Sequence, residues 1–205
     1  MQSSTRILPA AGVLLAAMLA ACASPPQLEA QWRDPALGQG ILRGARVFVA
    51  CDASDFTVRR ICQDELAHAV TARGATPVFP GPDTAIATDR SIDRQLLPAA
   101  RDAGATALMV MTVAVAVTDV SPGFSIGIGG FGFGRASGVG ASVGVPIGGG
   151  RVTTGYSANG RVTDVAGGRL VWTARATASP SADLNVQMAE LSRTVVAAAD
   201  QAGLF

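Results

Sequence analysis

From Ala105 to Val117 the chain reads "ATALMVMTVAVAV", an uncharged run with Asp102 and Asp119 standing just outside it. It is short for a membrane-crossing helix, which needs about 20 apolar residues. Read as a strand, it is apolar on both faces of its pleat and has to be buried on both. A chain carrying such a strand folds as layers around it.

The segments on either side supply those layers. Arg46-Val47-Phe48-Val49-Ala50-Cys51 is a short β-rich run and predicts a first strand. A helix is expected from Val58 to about Arg73, capped by Asp55 or Thr57. Val58, Ile61, Cys62, Leu66, Ala69 and Val70 form its apolar stripe, and Gly74 ends it. "ATPVFPGPD" is a short strand closed by prolines, and a weak helix from Ser91 to Ala100 is interrupted at Pro98 and stopped by Gly104. Val152 to Asp164 and Leu170 to Ala176 alternate on either side of "VAGGR" and predict a hairpin. The last helix carries Leu184, Met188, Leu191, Val195, Ala198 and Ala202 on one continuous face. This order predicts a single-domain α+β structure, a mostly antiparallel sheet with its helices packed on one face.

Residues 121–151 hold "SPGFSIGIGGFGFGRASGVGASVGVPIGGGR", which spells two enzyme motifs. Gly123-Phe124-Ser125-Ile126-Gly127 matches the G-x-S-x-G elbow of serine hydrolases, which requires a helix after the serine and a histidine base. Glycine alternation follows Ser125 instead, and the lone histidine, His68, precedes it, so a hydrolase is a remote alternative. Gly127 to Gly132 matches G-x-G-x-x-G, yet no helix starts there to receive a phosphate, and the next acid is Asp164. Period-two alternation fits the stretch better: Phe124, Ile126 and Ile128, then Phe131 and Phe133 after a one-residue slip. Two readings stand, a long Gly-rich loop or a β-hairpin whose apolar face meets lipid or a partner protein. In the second, Phe124, Ile126, Ile128, Phe131 and Phe133 form the contact surface.

The N-terminus carries Arg6 and then an apolar run from Ala10 to Ala21, with the proportions of a signal-peptide core. Leu19-Ala20-Ala21-Cys22 resembles the lipobox of bacterial lipoproteins, which implies cleavage after residue 21 and acylation of Cys22, with palmitate among the chains. Ala23 in place of Asp resembles the pattern sorted to the outer membrane. Residues 1–21 are thus expected to be a signal peptide, 22–45 a tether containing Trp32, and 46–205 a periplasmic domain. All 16 basic residues are Arg; 15 survive cleavage against 15 acids, so no basic field exists to hold nucleic acid. Cys51 and Cys62 remain, and in an oxidising periplasm a disulfide is the simplest expectation. A metal site with His68 and two free buried thiols are the alternatives. Neither a metal nor a cofactor is expected.

Several of these pieces together resemble the small bacterial lipoproteins grouped under domain of unknown function 4136: "QWRDP", "RVFVA", "RRICQDELAHAVTARGATPV", "ARDAGATALMV", "GRLVWTARA" and "QAGLF". Members more often carry an acid near the position held here by Cys62, a departure that favours the disulfide. The resemblance implies a periplasm-facing α+β domain and transfers no catalytic residue. The functional expectation is a non-enzymatic, outer-membrane-anchored lipoprotein that acts by binding or as a structural module of the envelope, with the membrane and an envelope protein as partners. The alternative is an auxiliary subunit of a transport or envelope-assembly complex whose Gly-rich hairpin contacts membrane or a pore.

Overall fold

A computed structural model describes residues 25–81, 91–121 and 151–205, with side chains described for all of these except 117–121 and 151–152. The described residues form six strands and three helices. In order they are β1 (Gln27–Arg33), β2 (Arg46–Asp52), α1 (Phe56–Thr71), β3 (Thr76–Val78), α2 (Ile92–Asp102), β4 (Ala107–Ser121), β5 (Arg151–Asp164), β6 (Arg169–Thr177) and α3 (Leu184–Gln201). One sheet of order β1-β6-β5-β4-β2-β3 holds all six strands. β2 pairs in parallel with β3 and β4, and every other pairing is antiparallel. The fold is α+β, as the element order predicts.

The apolar run from Ala105 lies at the centre, as β4 between β2 and β5. Its odd residues Ala107, Met109, Met111 and Val113 face α1 and α3, with Val47, Val49 and Cys51 of β2 beside them. Its even residues Leu108 and Val110 join Phe48, Ala50 and the α2 residues Ile92, Leu96, Leu97 and Ala100 in a second core. The expectation of helices on one face is therefore corrected: α1 and α3 share a face, and α2 covers the other. Chain direction explains this. The crossover from β2 to β3 steps outward along the sheet, and the one from β3 to β4 steps back past β2. Two right-handed crossovers of opposite direction pass on opposite faces.

Local chemistry sets the helix ends. The Val58 N–H donates to Asp55 Oδ1 (2.9 Å) at the start of α1, and the Val186 N–H donates to Asp183 Oδ1 (3.1 Å) at the start of α3. Gly74, at φ +81°, supplies the left-handed residue that ends α1. Pro98 does not interrupt α2, which runs through it to Asp102 with Leu96, Leu97 and Ala100 buried on either side. Burial of that stripe outweighs the hydrogen bond the imide nitrogen cannot donate.

A second correction concerns residues 22–45. From Gln27 the expected tether is β1, paired with β6 from Gln27↔Thr177 to Arg33↔Trp172. Six of its seven residues are exposed, so its apolar content gave little signal; backbone pairing along the open edge of β6 holds it. Both sheet edges are guarded. β1 has a bulge between Leu28 and Ala30, and β3 is three residues long with Pro77 at its middle.

α3 approaches the sheet closely because small residues lie beneath it: Ala158 and Gly160 of β5, Ala174 and Ala176 of β6. A Cβ at Gly160 would lie well inside contact distance of Val195 Cγ1 and within 3.4 Å of Trp172 Cζ3. Gly160→Ala should therefore cost about 1–3 kcal/mol by overpacking and lower Tm by several degrees in a thermal melt. An unchanged Tm would mean that α3 does not rest there.

Candidate functional site

Strand direction gives the molecule two unlike ends. β2, β3, β4 and β6 finish at one end, here the upper end, where β1 and β5 begin. Each helix follows a strand that finishes there, so all three helices start at the upper end. β4 continues past its last partner on β2, the pair Asp52↔Thr112, for nine more residues, about 30 Å. Only β5 accompanies it. Ala178 donates to Tyr156 O (2.9 Å) and Thr154 bridges Ser181, but the last pairs, Asp119↔Thr153 to Ser121↔Arg151, have no further strand beside them. A two-stranded arm thus leaves the upper end and delivers the chain into residues 122–150.

Cys51 and Cys62 form a disulfide with their Cα atoms 6.0 Å apart, both side chains buried in the larger core. It ties the upper part of β2 to the second turn of α1 and closes the loop between them. The free-thiol and metal alternatives are set aside: the sulfurs are bonded to each other, His68 is exposed on α1, and no metal-ligand cluster occurs among the described residues.

Trp32 sits on β1 opposite Thr173, its side chain 47% exposed on the sheet face that α2 leaves open. With Ala30, Asn159, Thr173 and Arg175 it lines a shallow depression of about 290 Å³. Arg175 is engaged by Glu29 (3.0 Å), whose other oxygen accepts from Thr177 Oγ1 (2.5 Å). The rest of "QWRDP" holds the chain's exit from β1. Asp34 is buried, pairs with Arg169 and accepts from the Ala36 N–H (2.8 Å), while Arg33 Nη2 donates to Leu37 O (2.5 Å). These contacts are structural and leave Trp32 as the exposed large apolar side chain of the motif.

Asp93, in the first turn of α2, meets Arg161 of β5 between the helix and the sheet (3.4 Å). Burial pushes its carboxyl above the ordinary carboxylate range, and the Arg161 charge opposes this only in part. Asp93 Oδ1 and Arg161 Nε have no hydrogen-bond partner.

Cys22, Phe124, Ile126, Ile128, Phe131 and Phe133 lie outside the described residues, as do both glycine motifs with Ser125. What the structure adds is the base from which the glycine-rich stretch leaves. Sequence reasoning missed the arm's length and β1. Alternation of Leu28, Ala30 and Trp32 in "QLEAQWR" was the available signal for β1, blurred by its bulge. No family model and no curated protein matches the chain. Among solved structures it is similar to the PelC dodecamer from Paraburkholderia phytofirmans, with 16% identity over 83% of this chain and 94% of that one and a TM-score of 0.48. It is also similar to lipoprotein GNA1162 from Neisseria meningitidis, with 15% identity over 77% and 97% of the two chains and a TM-score of 0.40.

Two outcomes follow from these contacts. Replacing both bonded cysteines with Ala should cost about 2–3 kcal/mol, since the bridge closes a short loop of the unfolded chain, and a denaturant titration reads this as a lower midpoint. For Asp93 the folded state holds its proton more tightly than the unfolded state. Its contribution is therefore present at low pH and lost as pH rises through the raised folded value. Asp93→Asn should raise Tm at pH 7 by about 1–2 °C, with the gain vanishing near pH 3. A loss at pH 7 would mean that the Arg161 pairing dominates.

Proposed function

We propose that this chain is a non-enzymatic lipoprotein, anchored in the outer membrane through acylated Cys22 and facing the periplasm, that presents its glycine-rich segment to the envelope. One observation carries the reading: the chain's approach from Cys22 and the β4–β5 arm meet at the same end of the sheet. Gln27, the first residue of β1, follows Cys22 by five residues, so the tether spans about 17 Å at most. An anchor on so short a leash holds the upper end, and the arm rising from it, against the bilayer. Several acyl chains on one residue make that attachment lasting, at about 0.8 kcal/mol per buried CH₂.

The family resemblance of the quoted segments points the same way. A second reading, an auxiliary subunit of a transport or assembly complex, draws on the open strand edges of the arm at Ser121 and Arg151, where a partner's strand can add. The test is intact mass spectrometry of the membrane-extracted protein. The expected result is a chain beginning at Cys22 and carrying fatty acyl groups. An unacylated chain, or one that does not begin at Cys22, would contradict the anchor.

A further inference from the structure

We infer that the upper end of the domain is itself a lipid-docking surface, formed by Leu28, Phe56, Phe79, Val115 and Val186; this rests on the anchor at Cys22 proposed above. Among the described residues seven large apolar side chains are exposed, and these are five of them, at 39%, 66%, 47%, 60% and 46%. They come from five separate elements: the start of β1, the first residue of α1, the residue after β3, the outer part of β4 and the first turn of α3. Topology alone brings these positions to one end, in a collar around the root of the arm. The other two, Trp32 and Leu170, lie on the open sheet face and at the lower start of β6.

The same end carries the chemistry of a membrane–water boundary. Arg59 lies over the Phe56 ring (5.4 Å), an aromatic with a cation that can reach headgroup phosphates, and Arg60 beside it is exposed. Of the acids at this end, Asp55 and Asp183 are turned onto the backbone N–H groups of Val58 and Val186, Glu29 pairs with Arg175, Asp93 pairs with Arg161, and Asp52 is half-buried at the end of β2. With a tether of about 17 Å at most, the collar cannot move far from the bilayer. A surface of this kind settles about 5–10 Å into the boundary between headgroups and acyl chains.

The test uses the full mature chain with Cys22→Ser, so that no acyl group contributes, floated with vesicles of phosphatidylethanolamine and phosphatidylglycerol. The chain should float with the vesicles, and Phe56→Asp/Phe79→Asp should weaken that partition by about tenfold or more. Leu170→Asp, an exposed position at the opposite end, should leave it unchanged. The far-ultraviolet circular dichroism of both variants should match the parent. Absent flotation, or flotation indifferent to the Phe56/Phe79 pair, would overturn the docking surface. Concentration-dependent self-association without lipid, abolished by the same pair, would overturn it too and assign the collar to a second copy of the chain. Failure of the anchor shows separately, as an unacylated Cys22 in the mass spectrum of the wild-type protein.

Discussion

Burial of β4 on both faces is the constraint from which the rest of the fold follows. Met109 and Met111 on one face and Leu108 and Val110 on the other are inaccessible to solvent. Each face therefore requires its own cover, and a single helical layer cannot provide it. The chain meets this with two crossovers around β2, which place α1 and α2 on opposite faces, and with α3 returning across β5 and β6. The disulfide and the close approach at Gly160 then fix the α1–α3 layer at two points, one at the root of α1 and one under the middle of α3.

β4 also outruns its partners. Up to Val113 it is a core strand; beyond that it is half of an arm. The same covalent strand thus links the buried centre of the sheet to the arm, and the direction of β4 gives the described residues a polarity. At the lower end the chain is closed by backbone bonds, with Leu42 donating to Leu204 O (2.7 Å) and Gly40 to Gly203 O (2.7 Å). The upper end gathers the start of β1, the arm and the exposed apolar collar.

Much of this was legible in the sequence, and the parts that were not have physical reasons. β-rich composition located β2, and periodicity located α1, the β5–β6 hairpin and α3, because each of these three buries a regular stripe or alternation such as Met188, Leu191, Val195 and Ala198. The cysteine pairing followed from the compartment implied by the N-terminus. β1 was unreadable because it is held by backbone bonds at an edge and buries almost none of its side chains. The second helical layer was implied by the doubly apolar strand itself, but α2 carries Pro98, which made its helix look broken and its cover dispensable. The collar is invisible in sequence for another reason. Leu28, Phe56, Phe79, Val115 and Val186 share no period and reach one end of the sheet only through the ends of five different elements.

The central claim is that the upper end of the sheet is the membrane side. Cys51 and Cys62 are bonded to each other, so a cysteine introduced at position 115 or at position 170 can be spin-labelled alone in the acylated protein. In vesicles, the label at 115 should be accessible to oxygen and shielded from a water-soluble nickel chelate, and the label at 170 should show the reverse. Equal access of the chelate to both positions would contradict the account and return the arm and its collar to solvent.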